Sequence, residues 1–507
     1  MGKWGKKGGG GGGGGDRPSW VQKDLSKPHP GSIPIEKIKE SEEWQSRHEF
    51  PDKAPKRKYA LCVGYLGTNY QGLQINPDAV TVESILEKAL MLAGGVTEMN
   101  FGNLQKLGWS RAARTDRGVH AVSQCCAMRL TMGLQPEERE EFRTRVNRFL
   151  PADIRVLAIT KVTKNFSAKL FCSKRRYLYL MPTYLLRQVS EVNALLEAAF
   201  AKQGPVLGAG HVGGYADPGS SSFLGPEALE TVRQSLSAFR ASPEELARLR
   251  AMLARYQGTS PYHNFTVGKT SADANANRFI ISFTADDPFV DEATGVEWVL
   301  LSVVGQSFLL NQIRKMVGFV VDMVRGAAPE TAFDSAFSSM RVDVPMAPGE
   351  GLFLDELFFD GYNKKMEGSN EMHQRAAQKK AAAKEGGGDG AVDVASSEAK
   401  TSREEGEGEG EGETEGEGPE GENGAEELFV HEMLDWAGNE AATAAMAHFR
   451  DRVILPHIRH LEGPIRLPFL FYLDSLRVRS LTYAAKEFAG GGGAKSKRKR
   501  GDEEDEE

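Results

Sequence analysis

At 507 residues the chain has room for two or three domains, and a hydrophobic share of 40% with 56 glycines points to a globular centre between low-complexity ends. Its four cysteines, Cys62, Cys125, Cys126 and Cys172, make no C-x-x-C pair and no zinc-spaced cluster with histidine, which argues against a metal site or disulfide framework and for small buried thiols in a reducing compartment. The net charge of −7 hides a basic body: residues 402–427 hold twelve Glu against one Arg, residues 502–507 are all acidic, and without both segments the remainder carries +10, enough to attract a phosphate backbone.

Residues 1–55 are rich in Gly, Pro and charge and read as a disordered low-complexity N-terminus; they show no apolar signal core. No apolar run approaches the roughly 20 residues of a membrane helix. Order begins with a strand in "KYALCVGYLGTNY". "TVESILEKALMLAGG" follows as a helix, with Thr81 as N-cap, Val82, Ile85, Leu86 and Leu90 as its buried face, and Gly94-Gly95 as its stop. "VHAVSQCCAMRL" (119–130) is the next strand. A helix over 137–149 is stopped by Pro151, and "DIRVLAITKV" and "SKRRYLYLMP" are two further strands. The pattern then recurs: a helix (191–202), a Gly/Pro/Ser-rich insert (203–226), a helical stretch (227–257), strands (278–284 and 296–304) and an apolar helix (308–325). The fold class is therefore α+β. The organisation is an N-terminal half at 56–185, a C-terminal half at 186–361, an acidic linker at 362–427, a helical C-terminal extension at 428–488 and a charged tail at 489–507.

Three places carry chemistry. "RAARTDRGVHA" (111–121) sets Asp116 between Arg114 and Arg117, with Gly118 close behind. Positive charge favours an ionised carboxylate, which suits a nucleophile; the alternative is a turn Asp held by salt bridges. In "SKRRYLYL", Arg175, Tyr177 and Tyr179 share one strand face, a surface suited to stacking a base and holding phosphate, or else the rim of a core. In "SFLLNQIRKMVG", Arg314 falls within an apolar helical stripe that includes Leu310, Val317 and Val321. Such an arginine snorkels to water or finds a buried carboxylate, for which Asp116 is a candidate.

"RAARTDRGVHA" resembles the signature loop of the TruA-type tRNA pseudouridine synthases, and the preceding "KLGWS" is similar to their eukaryotic branch. Six further stretches match in the family's order: "GYLGTNYQGLQ", "TVESILEKAL", "VNRFLPADIRV", "FSAKLFCSKRRYLYL", "YHNFT" and "SFLLNQIRKMVG", followed by "APGEGLFLDEL". The resemblance implies the pseudouridine synthase fold: two α/β halves joined into one mainly antiparallel sheet, with helices on one face and a central cleft. It implies isomerisation of uridine in RNA without cofactor or metal. It makes Asp116 the catalytic residue, attacking C1′ or C6, with Tyr177, Arg114 and Arg314 as substrate-binding residues. The implied partner is tRNA, with mRNA or snRNA as further candidates, no membrane, and a monomer favoured over a homodimer because the extension covers a dimerisation surface. "KSKRKR" suggests the nucleus, with mitochondrion or cytoplasm as alternatives. The competing reading is a non-catalytic RNA-binding protein or tRNA chaperone that kept the fold.

Overall fold

A computed structural model describes residues 31–48, 55–203, 226–385, 431–461, 468–470, 472–473 and 475–476. The described residues form two compact units, one made of those within 1–359 and 435–507, the other of those within 360–434.

The first unit is built on one sheet of ten strands: β1 (Lys56–Tyr65), β2 (Ser110–Arg111), β3 (His120–Thr131), β4 (Ile154–Lys161), β5 (Lys174–Pro182), β6 (Gly258–Pro261), β7 (Asn277–Ala285), β8 (Phe289–Val290), β9 (Glu297–Gly305) and β10 (Leu352–Phe358). The order is β4-β1-β3-β10-β5-β9-β7-β6, with β2 on β3 and β8 on β9. Every pairing is antiparallel except β10 with β3. The mainly antiparallel α+β architecture expected from the sequence is the one observed.

The strand "LFLDELF" fuses the two halves. β10 comes from the end of the C-terminal half, yet lies between β3 and β5 of the N-terminal half. Phe353 stands opposite His120 and Leu354 opposite Ala121 in parallel register, and Leu354 pairs with Tyr177 across β5. Parallel neighbours enter the sheet from the same end. The loop before β3, which holds Asp116, and the loop before β10 therefore lie side by side.

Helix Val82–Leu92 starts as expected, with Thr81 accepting from the Ser84 amide and Ser84 returning the bond to the Thr81 amide. Its buried surface is wider than the stripe read from the sequence: Glu83, Glu87, Ala89 and Met91 are buried, while Ile85 is only half-buried. The stretch 227–257 is two helices, Pro226–Ser237 and Pro243–Ala254, because Ser242 caps and Pro243 starts a second one. The helix placed over 308–325 spans Gln312–Val324. Asn311 at its N-cap is left-handed, with φ of 62°, so the chain cannot be helical before it. Leu310 accordingly stands outside the stripe and is 57% exposed.

Two boundaries differ from the sequence reading. Residues 31–48, placed in a disordered N-terminus, form two short helices anchored by buried Ile38 and by the His48 amide on the Leu92 carbonyl. The linker assigned to 362–427 begins as a helix, Asp360–Glu385. The insert at 204–225, residues 386–430 and the charged tail lie outside the described residues.

In the second unit, that helix pins the segment 431–434. Asn363 bonds both backbone groups of Leu434, and Asn370, two turns on, bonds both those of His431. No helix among the described residues is long and apolar enough to cross a membrane. All four cysteines are buried thiols outside any disulfide.

Candidate active site

Asp116 sits in the tight turn that feeds β3, where the Val119 amide donates to the Asp116 carbonyl at 3.2 Å. Gly118 makes that turn possible with φ of 81°. A second glycine brings another loop against it: Gly72, with φ of 87°, approaches so closely that a Cβ there would lie 2.8 Å from the Thr115 carbonyl oxygen. The Leu73 amide donates to that oxygen, and the Tyr65 and Thr115 hydroxyls share a 2.7 Å hydrogen bond. The loop after β1 thus fixes the residue immediately before the acid.

The strand leading into the turn is held by a buried carboxylate. Glu83, on the helix after β1, accepts from Trp109 Nε1 at 2.8 Å, from Arg111 Nε and from the Ile75 amide. In "KLGWSRA", Trp109 and Arg111 therefore serve to anchor the strand. Glu83 was legible only as a first-turn acid, because its partners lie 26 and 28 residues away.

Arg314 meets the sequence expectation of a buried cation facing the acid. It is 7% exposed, its Nε donates to the Ala347 carbonyl at 2.7 Å, and its own carbonyl accepts from the Ala347 amide. Helix Gln312–Val324 is thereby clamped to the loop before β10. Gly349 completes the seat: a Cβ there would stand 3.1 Å from the Arg117 carbonyl and 3.5 Å from the Arg314 guanidinium carbon.

Two opposing influences act on Asp116. Burial pushes its carboxyl above the ordinary range, and the Arg314 guanidinium pulls it back. Burial is the larger, which differs from the expectation that surrounding arginines hold it low. The reason is geometric: Arg114 and Arg117 both point outward and are exposed, so among the three arginines of the turn region none substitutes for Arg314.

Tyr177 is 6% exposed at the centre of β5. Burial raises its phenol, with the neighbouring Asp116 adding to the rise, and Phe308 packs edge-on at 5.4 Å. The other members of its face have different work. Tyr179 is buried and donates to the Pro348 carbonyl. Arg175 bonds the carbonyls of Ala112 and Gln306, tying the strand before Asp116 to the loop that carries Phe308. Asp116, Tyr177 and Arg314 thus converge, and Arg114 stands at the solvent-facing side of the same turn.

His120 is the hub that sequence reasoning passed over. Fully buried, its Nδ1 accepts from the Gly67 amide at 2.9 Å, so its Nε2 donates to the Glu350 carbonyl at 3.0 Å. Burial drives its pKa down to about 3, which keeps the ring neutral and this pattern intact. One side chain therefore joins the loop after β1, the start of β3 and the loop before β10. Its sequence signal was its place in the "RAARTDRGVHA" loop, two residues after Gly118, where no role was read for it.

A carboxylate paired with a buried guanidinium beside a buried tyrosine, at the seam of a two-halved antiparallel sheet, defines the class to which the residues pointed. The family model described as tRNA pseudouridine synthase matches residues 252–360, a span that includes Arg314 and β10. The chain is 34% identical over 349 residues to tRNA pseudouridine synthase 1 of Kluyveromyces lactis, covering 62% of each chain. It is 33% identical over 350 residues to tRNA pseudouridine synthase 1 of Saccharomyces cerevisiae, covering 62% of this chain and 63% of that protein. It is 33% identical over 344 residues to the pseudouridylate synthase 1 homolog of Mus musculus, covering 67% of this chain and 69% of that protein. The chain belongs to the tRNA pseudouridine synthase family. It spans about three fifths of the length of the two yeast relatives.

Proposed function

We propose that this protein isomerises uridines in tRNA to pseudouridine, with Asp116 as nucleophile. The reaction breaks N1–C1′, forms C5–C1′, releases the C5 proton and protonates N1, so atoms balance without an external reactant. A carboxylate that attacks C1′ or C6 must be ionised, and it must be reached by a nucleotide drawn out of its stack. The observation that carries the proposal is Asp116 beside both buried Arg314 and buried Tyr177.

Each side chain has a role in this reading. Arg314 keeps Asp116 ionised despite burial. Tyr177 stacks on the extruded uracil, a contact worth about 1–3 kcal/mol per base, and its hydroxyl is placed to move a proton. Arg114, exposed at the turn, holds the flipped nucleotide's phosphate. The basic body supplies distributed backbone contacts that offset the roughly few kcal/mol of unstacking. Nuclear residence and a monomeric state belong to the same reading.

The test is to incubate the purified chain with tRNA lacking pseudouridine and to digest the RNA to nucleosides. Pseudouridine formed in proportion to enzyme turnover supports the proposal. Tight tRNA binding with no pseudouridine would instead favour the chaperone reading.

A further inference from the structure

We infer that His457, in the segment that follows the second unit, is a positioning residue for Asp116, acting through Thr68 and His120. The inference rests on the proposed activity and adds the C-terminal segment to its machinery.

The segment runs as helix Glu440–Phe449, a π turn Arg450–Ile454 and helix Leu455–Leu461. Its contacts fall on the end of β1 and on the loop after it, which supports Asp116. Gly64 is so closely covered that a Cβ there would stand 2.9 Å from the Phe449 ring. Four residues on, the Thr68 hydroxyl meets His457 Nε2 at 2.7 Å. The His457 ring also stands edge-on against His120, with centroids 5.5 Å apart.

The π turn explains how one helix reaches both points. Eight residues of plain α-helix would carry His457 roughly 80° past Phe449. A π turn takes more residues per turn and brings the two side chains back towards one face. Arg450 on Asp355, at the start of the π turn, and Arg459 on Asp291, near the segment's end, fix it to the sheet region, at 3.8 and 2.7 Å.

The consequence lies at the acid. His120 holds Gly67 and Glu350 together, and Gly67 lies so close to Val119 that a Cβ there would fall 2.0 Å from its carbonyl oxygen. Thr68 is the next residue of that loop. His457 therefore limits the loop's freedom from one side and backs the His120 ring from the other. It touches no reacting atom, so it acts on rate through geometry.

The experiment compares wild type, His457→Ala, His457→Gln, Thr68→Val and the Thr68→Val/His457→Ala double variant in the full chain. Single-turnover pseudouridine formation is measured at saturating tRNA, beside tRNA affinity. His457→Ala and Thr68→Val are each expected to slow the step about tenfold while affinity stays within about twofold. The double variant is expected to be no slower than the worse single, and His457→Gln, which keeps a hydrogen bond to Thr68, to recover most of the rate. Wild-type rates in both single variants, or losses that multiply in the double, would overturn the inference. Should His457→Ala not fold, Thr68→Val and His457→Gln decide it alone. A wild-type chain that makes no pseudouridine would fail the functional proposal instead.

Discussion

Replacing Arg314 with Gln isolates what the buried guanidinium does. Gln keeps a donor for the Ala347 carbonyl, which Arg314 Nε now bonds at 2.7 Å, but carries no charge. Burial already raises the Asp116 carboxyl, and Arg314 is the group that opposes it. An opposite charge at such range lowers a carboxyl pKa by about 1–3, and each whole step of one is worth about 1.4 kcal/mol. Asp116 is only partly buried, so solvent screening places the effect at the lower end, about 1–2 kcal/mol. The assay is single-turnover pseudouridine formation at saturating tRNA from about pH 5 to about pH 8. The rate follows the ionised fraction, so the acid limb moves to higher pH. A limb displaced by about one pH unit lowers the rate at a fixed pH on it by roughly tenfold. Stability gives a second reading with a definite sign. A carboxyl raised in the folded state is destabilising above its unfolded pKa and neutral below it. The melting deficit of Arg314→Gln against wild type should therefore shrink as pH falls. An unmoved acid limb together with a deficit independent of pH would refute the pairing of Arg314 with Asp116.

Tyr177→Phe is expected to leave tRNA affinity within about threefold and to slow single turnover by about 10²-fold, the scale of positioned proton transfer; an unchanged rate would remove the hydroxyl from the chemistry. Gly72→Ala forces a Cβ to 2.8 Å from the Thr115 carbonyl at φ of 87°, so it should cost about 1–3 kcal/mol of stability and lower the single-turnover rate more than the affinity; equal wild-type values in both would show that the loop contact is slack. Glu87 is buried against the Ser32 hydroxyl and the Gly102 amide, and burial raises its pKa to about 7 from 4.5. Its destabilising contribution is absent below about pH 4.5 and complete above about pH 7, so Glu87→Gln should gain on wild type by on the order of 3 kcal/mol between those limits. A melting difference that is the same on both sides of that window would contradict this.

Much of the fold was legible because its signals are local. Thr81 announced a helix start, Gly94 its end, and the apolar stretches of β3 and β5 their strands, both almost continuously buried. Asp116 and Arg314 were legible as candidate partners because an arginine in an apolar stripe either reaches water or finds a buried acid. What escaped depended on distance along the chain. β10 is a short strand whose place between β3 and β5 is set by pairing, not by its own seven residues. Glu83, His120 and Arg175 act on loops far away in sequence, so their partners could not be read from the residues beside them. The helix start at 308 was misplaced because a left-handed Asn311 leaves no trace in hydrophobic periodicity. Leu310 was assigned to the buried stripe for the same reason. Arg114 and Arg117 were counted as stabilising Asp116, but side-chain direction in a turn is not fixed by sequence spacing, and both point to solvent.

The central claim is that the Asp116 carboxylate performs the isomerisation. When C5 of the uracil joins C1′, its hydrogen must leave, so tRNA carrying tritium at uridine C5 releases one tritium to water for each pseudouridine made. Wild-type protein is expected to release it, and Asp116→Asn, which keeps the shape but not the charge, to release none while binding tRNA within about tenfold. Tritium release by Asp116→Asn at the wild-type rate would contradict the account.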